Sequence, residues 1–204
     1  MDKNRLEVIL SWDEVKGFVY PYVVPLNKSV EAQKELVYRP FLDLAIGVCI
    51  QQPGAYVSFK VSRMWLQIWG IAEEDLYKEA FKNLLDEDVL FCDVEDLLEK
   101  EDIPAGECEW KLMVLTNQLK IFGAAEMLNI PWLSQYAEQR QCDLFILPSS
   151  VHEVLLHEVT GRISAEELKR SVVEINRDVL LPQERLSDCV YYFDRRERRI
   201  RIAA

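Results

Sequence analysis

The sequence is poor in the features that most readily identify a function. Its 204 residues include five widely spaced cysteines with no CxxC pair, and only two histidines. A disulfide framework or a zinc site is therefore not expected, and a reducing cytoplasm is the expected compartment. The seven glycines stand singly, so the sequence has neither a GxGxxG nor a Walker loop for holding phosphates. No cofactor is expected.

Long apolar segments are also lacking. The longest run, Leu44–Ile50, is far shorter than the roughly 20 residues that a membrane-spanning helix needs. Charges interrupt the first residues every few positions, so no signal peptide is expected there. We expect a cytoplasmic protein without a membrane partner.

Basic residues are fewer than acidic residues, and many of the acidic residues are concentrated in one segment. Asp and Glu number 35 against 24 Lys and Arg, which gives a net charge of −11. Residues 73–109 hold fifteen of the acids and three lysines, a local charge of −12, whereas residues 195–204 hold five arginines. Duplex binding needs a broad basic surface, so nucleic acid is not an expected partner. A protein partner, of basic character, fits the acidic surface better.

The pattern of apolar residues in the first half of the sequence predicts alternating helices and strands. Residues 11–23 have apolar positions at helical spacing, and residues 37–51 indicate a buried strand. The QQPG turn at 51–54 predicts a hairpin near 42–61. The helices expected in addition are a polar helix at 28–36, a short helix at 62–69 closed by Gly70, and an amphipathic helix at 71–85.

The second half gives clearer signals. Residues 86–109 are interpreted as an acidic connection with one short helix, Val94–Lys100. Helices are expected at 119–128, 131–140 and 164–176, the last with a capping box of Ser164 and Glu167. Strands are expected at 111–116, 142–147 and 151–159, followed by two short C-terminal strands.

These elements predict a mixed α+β fold in which two β-hairpin-plus-helix halves pack into one globular unit. We expect a single domain, 1–204. The acidic connection suggests its subdivision into an N-terminal half, 1–85, the connection itself, 86–109, and a C-terminal half, 110–204.

The densest group of reactive side chains lies in LPSSVHE, where Ser149, Ser150, His152 and Glu153 flank a turn. One interpretation is nucleophilic catalysis, with a serine as nucleophile, His152 as base and Glu153 as the residue that orients it. Neighbouring strand residues point to opposite faces, and no GxSxG elbow is present. The other interpretation is that the serines hydrogen-bond the turn and His152 packs at the core edge.

Two further groups have a functional and a structural interpretation. His157 and Glu153 could form part of a metal site, but no HExxH spacing supports it, and a strand face is the alternative. Trp65 and Trp69 lie four residues apart on one helical face, which is typical of core packing as well as of a ligand platform.

Several segments together resemble a bacterial family of Firmicutes that is catalogued as domain of unknown function 5688. The resemblance extends over about residues 12–202, and its most specific parts are Leu147–Val154 and Leu186–Tyr192. The other segments that carry it are Phe41–Ala45, Trp69–Ile71 with Glu74–Tyr77, Val114–Asn117 with Gly123–Ala125, and Val173–Asn176. The sequence departs from the family pattern in its more acidic residues 86–93 and at His157.

The resemblance implies a bacterial, cytoplasmic, mixed α/β unit and supplies no activity. A site shared with the family would draw on the short polar residues of the matching segments. These are Thr116, Asn117, Ser149, Ser150, His152, Glu153, Asn176 and Asp188. Such residues gather at strand ends both in sites and in turn scaffolds.

Three hypotheses for the function follow from the sequence, the third being a structural subunit of a larger assembly. The first is a non-enzymatic module that binds a protein or peptide, with Thr116, Asn117, Asn176 and Asp188 as binding residues and no metal. The second is a hydrolase or transferase that uses Ser149 or Ser150 with His152. The distance between a serine hydroxyl and a His152 ring nitrogen distinguishes the enzyme from the binding module, because catalysis needs these two groups within hydrogen-bond reach.

Overall fold

An antiparallel sheet of four strands forms the first half of the described fold. The computed structural model describes residues 11–27, 35–51, 58–96 and 111–204. The strands of this sheet are β1 Val19–Pro25, β2 Tyr38–Phe41, β3 Leu44–Ile50 and β4 Phe59–Lys60. β3 pairs with β1 along one edge, and with β2 and then β4 along the other. This central position explains why β3 is almost continuously apolar and buried.

The single strand expected at 37–51 is in fact two strands. The chain reverses between β2 and β3 at Leu42 and Asp43, where Leu42 has a positive φ of 56°. The expected hairpin near 42–61 is confirmed by the pairing of β3 with β4, while its turn at 52–57 lies outside the described residues. Of the polar helix expected at 28–36, residues 28–34 also lie outside the described residues.

The helix expected at 11–23 is the main error in this half. Within residues 11–18, the described part of the chain before β1, the helical elements are α1, Trp12–Val15, and a 3-10 turn, Lys16–Phe18. The valines and tyrosines of β1 favour extended backbone, and Pro21 would remove a hydrogen bond from a helix. Proline is tolerated in β1 because this strand lies at the edge of its sheet.

Two helices connect the first sheet to the second. α2, Arg63–Trp69, ends at Gly70, whose φ of 65° confirms the expected glycine cap. α3, Glu73–Asp86, confirms the expected amphipathic helix and packs on β1. On its buried face the Tyr77 hydroxyl donates to the Ile46 carbonyl at 2.7 Å, which ties the helix to β3.

The second sheet has six antiparallel strands in the order β10-β9-β7-β8-β6-β5. They are β5 Val89–Asp93, β6 Met113–Asn117, β7 Leu144–Leu147, β8 Val154–Glu158, β9 Tyr191–Asp194 and β10 Arg199–Ile202. The expected strands after residue 110, including the hairpin of β7 and β8, are confirmed within a few residues.

β5 corrects the interpretation of residues 86–109 as an acidic connection. This strand pairs along its length with β6, and Phe91 packs edge-on against Trp132 and Tyr136. The short apolar strand was missed because the residues around it are acidic. Local composition contains no information about pairing with β6, a strand that lies far away in the sequence. Of the helix expected at Val94–Lys100, residues 94–96 are helical and the others lie outside the described residues.

Helices cover both faces of the second sheet. α4, Ile130–Arg140, lies on one face, and α5, Ala165–Asp178, lies on the other, where Leu168 and Val172 join a cluster with strand residues of β7. The capping box of Ser164 and Glu167 is confirmed at the start of α5. The helix expected at 119–128 is instead a 3-10 helix, Gly123–Leu128.

One hydrophobic cluster contains residues from both sheets. It includes Val23 and Ile46 of the first sheet together with Leu115, Ile146 and Phe193 of the second. The mixed α+β class expected from the sequence is confirmed.

Candidate functional site

The LPSSVHE segment forms the connection between β7 and β8 and is bonded mainly to itself. The Ser150 hydroxyl accepts the backbone N–H of His152 at 3.0 Å. The hydroxyls of Ser149 and Ser150 each donate to Glu153 Oε1 at 3.3 Å. These bonds are those of a turn whose side chains satisfy its own backbone.

The ring of His152 points to Phe122 and not to a serine hydroxyl. Its Nδ1 accepts the backbone N–H of Phe122 at 3.3 Å, and the two rings stack with centroids 6.0 Å apart. Phe122 has a positive φ of 55°, which is unusual for a bulky residue. Among the described residues no hydrogen bond joins this ring to Ser149 or Ser150, so the geometry gives no support to a serine–histidine pair.

Thr116 and Asn117 lie behind the same turn. The Thr116 hydroxyl donates to the His152 carbonyl at 2.7 Å. Asn117 donates to the Ile121 carbonyl at 2.9 Å and accepts its N–H at 3.2 Å. A Cβ at Gly123 would lie 2.0 Å from Thr116 Oγ1, so the chain passes here with no room for a side chain. This group is a tightly packed junction of β6, the 3-10 helix and the β7–β8 connection.

The remaining two candidates, Asn176 and Asp188, lie elsewhere. The Asn176 amide donates to Asp188 Oδ1 at 2.7 Å and to the Ser187 carbonyl at 2.9 Å. Both residues line an open groove of about 970 Å³, called here the α5 groove. The eight candidate residues are therefore divided between the packed junction and this groove.

The α5 groove runs between α5 and the end of the first sheet. One wall consists of residues 173–177 of α5 and the segment 182–189 that leads to β9. The other consists of residues 25–27, at the end of β1, and Asp43 in the β2–β3 turn. The residues that line it are Pro25, Leu26, Asn27, Asp43, Val173, Asn176, Arg177, Pro182, Arg185, Leu186, Ser187, Asp188 and Cys189.

Asp43 is the centre of the polar network in this groove. Its carboxylate accepts the Ser187 hydroxyl at 2.6 Å and the Tyr191 hydroxyl at 2.8 Å. The Ser187 hydroxyl in turn accepts the Cys189 N–H at 2.9 Å. Burial raises the pKa of the Tyr191 hydroxyl and of the Cys189 thiol, so both remain protonated near neutral pH. The thiol is thus not an activated nucleophile.

Sequence reasoning did not select Asp43, Ser187 or Tyr191 as site residues. Asp43 lies 144 residues from Ser187 and 148 from Tyr191 along the chain, so no local spacing relates them. The sequence contained a weak indication that Asp43 and Tyr191 are functional, because both lie within segments that carry the family resemblance.

Glu126 is a second residue that sequence reasoning missed. It lies in the 3-10 helix with a side chain that is almost wholly buried, and its Oε2 accepts the Asn129 amide at 3.3 Å. Among the described residues its Oε1 has no hydrogen-bond partner. Burial, helped by the charge of Glu87, raises the pKa of Glu126 to about 8. It does not line the α5 groove.

Two features are absent from the part of the chain that the structure describes. Within the four described ranges, no set of three or more His, Cys, Asp or Glu residues is arranged to hold a metal ion. In the same part of the chain, no helix combines the length and the apolar character that crossing a bilayer requires.

The fold and the groove define a mixed α+β protein with two antiparallel sheets and an open, partly polar cleft. Residues 1–195 match a family of unknown function, DUF5688, and the chain belongs to this family. No curated protein and no solved structure matches the chain significantly.

Proposed function

We propose that this protein is a non-enzymatic module that binds an extended segment of a partner protein in the α5 groove. The observation that carries the proposal is the groove itself, an open cleft of about 970 Å³ that is lined by both apolar and polar residues. Pro25, Val173 and Pro182 supply apolar surface, and Val173 is 39% exposed. Exposed apolar side chains in a cleft with a few fixed polar groups are typical of binding sites.

The charges in the groove favour a basic segment. The guanidinium of Arg177 is occupied by the Asp178 carboxylate, with both bonds at 2.7 Å. The carboxylates of Asp43 and Asp188, in contrast, receive hydrogen bonds from neutral hydroxyl and amide groups. Arg185 also lines the groove, and its guanidinium donates to the Leu180 and Arg177 carbonyls. Because Arg177 is paired with Asp178, the two carboxylates face only the charge of Arg185, and a Lys or Arg side chain of the partner complements the remaining negative charge. The net charge of −11 favours the same partner at long range.

The hydrolase or transferase considered from the sequence is not proposed. It requires His152 to take a proton from Ser149 or Ser150, whereas the described bond of its ring is to the backbone N–H of Phe122. The serine hydroxyls are bonded to Glu153.

A matched pair of variants on one helix tests the proposal. Val173 lines the groove, whereas Ile175, two residues further along α5 and 43% exposed, does not. Peptides selected from a random display library on the full chain should be rich in Lys or Arg and apolar residues. In fluorescence anisotropy, Val173→Lys should weaken their binding about tenfold and Ile175→Lys less than about twofold.

Salt provides the second measurement. Because charge complementarity contributes to the binding, raising the ionic strength from about 0.05 to about 0.5 M should weaken it several-fold. Equal effects of the two lysine substitutions, or selected peptides that are acidic, would contradict the proposal. A display selection that enriches no sequence family would also count against it.

A further inference from the structure

A second cavity lies at the end of β8, away from the α5 groove. It has a volume of about 180 Å³ and is called here the β8 pocket. It shares no lining residue with the α5 groove. Its polar and charged lining residues are Lys111, Tyr136, Arg140, His157, Glu158, Thr160 and Arg162.

The lining of this pocket is cationic, although the chain as a whole is acidic. Lys111, Arg140 and Arg162 contribute three positive charges, against the single carboxylate of Glu158. A concave surface with one sign of charge concentrates ions of the opposite sign.

The positive charges are only partly neutralised. Arg140 donates through Nε to Glu158 Oε1 at 2.6 Å, which leaves its two terminal nitrogens without a hydrogen bond among the described residues. Arg162 has no ion pair within the described part of the chain. Lys111 pairs with Asp93 at 3.1 Å, but its side chain is 71% exposed, so this pair is weak. Guanidinium groups with free terminal nitrogens bind oxyanions in a two-point geometry.

His157 adds a buried group with an unused hydrogen-bonding site. It is 7% exposed, and its Nδ1 lies 3.1 Å from the Lys111 carbonyl. Since a carbonyl only accepts, Nδ1 carries the proton, and Nε2 has no partner among the described residues. In this tautomer Nε2 only accepts, so a ligand relieves the cost of the unpartnered nitrogen by bringing a donor, such as the P–OH of a hydrogen phosphate group.

We propose that the β8 pocket binds the phosphate group of a small molecule, with Arg140 and Arg162 as its main contacts. A phosphate carries up to two negative charges, which matches the excess of two positive charges in the lining. The small volume admits one such group with little of the molecule attached to it. The Tyr136 hydroxyl, which donates to Glu158 at 3.2 Å, helps to hold that carboxylate against Arg140.

Titration of the full chain with inorganic phosphate at constant ionic strength tests the proposal. We expect saturable binding with a dissociation constant on the order of 1 mM, as measured by calorimetry. Arg162→Gln should weaken it about tenfold, because one charged bidentate contact is lost. Arg170→Gln is the matched control, since it removes the same charge from an exposed position on α5 outside the pocket, and it should change the affinity less than about twofold.

The two histidines provide a second, site-specific measurement. Phosphate should shift the NMR signals of the His157 ring, while those of His152, which lies outside the pocket, should stay unchanged. Acetate at the same ionic strength should bind more weakly, because it carries one charge instead of two.

Several results would overturn the proposal. They are the absence of saturable binding, equal losses in the two arginine variants, and a phosphate response at His152 but not at His157. Tighter binding of acetate than of phosphate would show that the pocket prefers carboxylates. None of these results would affect the α5 groove proposal, which depends on other residues.

Discussion

Replacement of Glu126 by Gln should make the protein more stable, and the gain should grow with pH. The usual pKa of a glutamate, 4.5, is raised by burial to about 8 in the folded protein. Each unit of pKa difference between the folded and unfolded states corresponds to about 1.4 kcal/mol. Full ionisation of Glu126 therefore costs the folded state about 5 kcal/mol.

Stability falls with rising pH because the folded protein binds the Glu126 proton more tightly than the unfolded chain does. Below pH 4.5 both states are protonated, and the full stability is present. Between pH 4.5 and about 8 the unfolded chain loses its proton while the folded protein keeps it, so the free energy of unfolding falls. Above about pH 8 both states are ionised, and the loss is complete. A glutamine side chain does not titrate, so the variant lacks this loss.

Urea unfolding of both proteins across the pH range measures the difference directly. Glu126→Gln should match the wild type near pH 4 and exceed it by about 3 kcal/mol at pH 7 and about 5 kcal/mol at pH 9. Glu174→Gln is the control, because it removes the same charge from an exposed position on α5 and should change stability by less than about 0.5 kcal/mol. A stability difference between wild type and Glu126→Gln that stays constant with pH would refute the reasoning.

Three further predictions concern the packed junction and the polar network. Gly123→Ala should lower the free energy of unfolding in urea by about 3 kcal/mol, because the added Cβ would lie 2.6 Å from the His152 carbonyl oxygen. A loss under about 1 kcal/mol would show that the junction has room for the methyl group. In thermal unfolding, the His152→Asn variant should be more stable than His152→Gln by about 1 kcal/mol, because only the Asn side-chain oxygen can replace Nδ1 as the acceptor of the Phe122 backbone N–H. The reverse order of stability would contradict this hydrogen bond. Tyr191→Phe should cost about 2 kcal/mol in chemical unfolding, since the Asp43 carboxylate loses a donor at 2.8 Å, and an unchanged stability would mean that water replaces it.

The packed junction explains why the LPSSVHE cluster was ambiguous in the sequence. Its residue types are those of a catalytic site, and equally those of a turn that satisfies its own backbone. Ser150 and His152 differ by only two positions, yet the hydroxyl is bonded to the backbone of His152 and the ring to Phe122, 30 residues away. The direction of a ring depends on packing, and sequence spacing does not specify it.

The sequence by itself determined the features that depend on a few neighbouring residues. Gly70 ends α2 because it adopts a positive φ, and the bonds of Ser164 and Glu167 begin α5. The hairpin of β7 and β8 follows from two apolar runs around a polar turn. These signals act over one turn of chain, so the α+β class could be predicted from them.

Only the tertiary structure decided which distant residues meet. β5 is a strand because β6 lies beside it, although its surroundings in the sequence are acidic. Asp43 becomes the centre of a groove because Tyr191, 148 residues later, reaches it. Glu126 is held in the core by the packing of the apolar residues around it, at a cost that no local pattern records. The physical reason is that burial and long-range hydrogen bonds are properties of the packed chain, and local propensity contains no information about them.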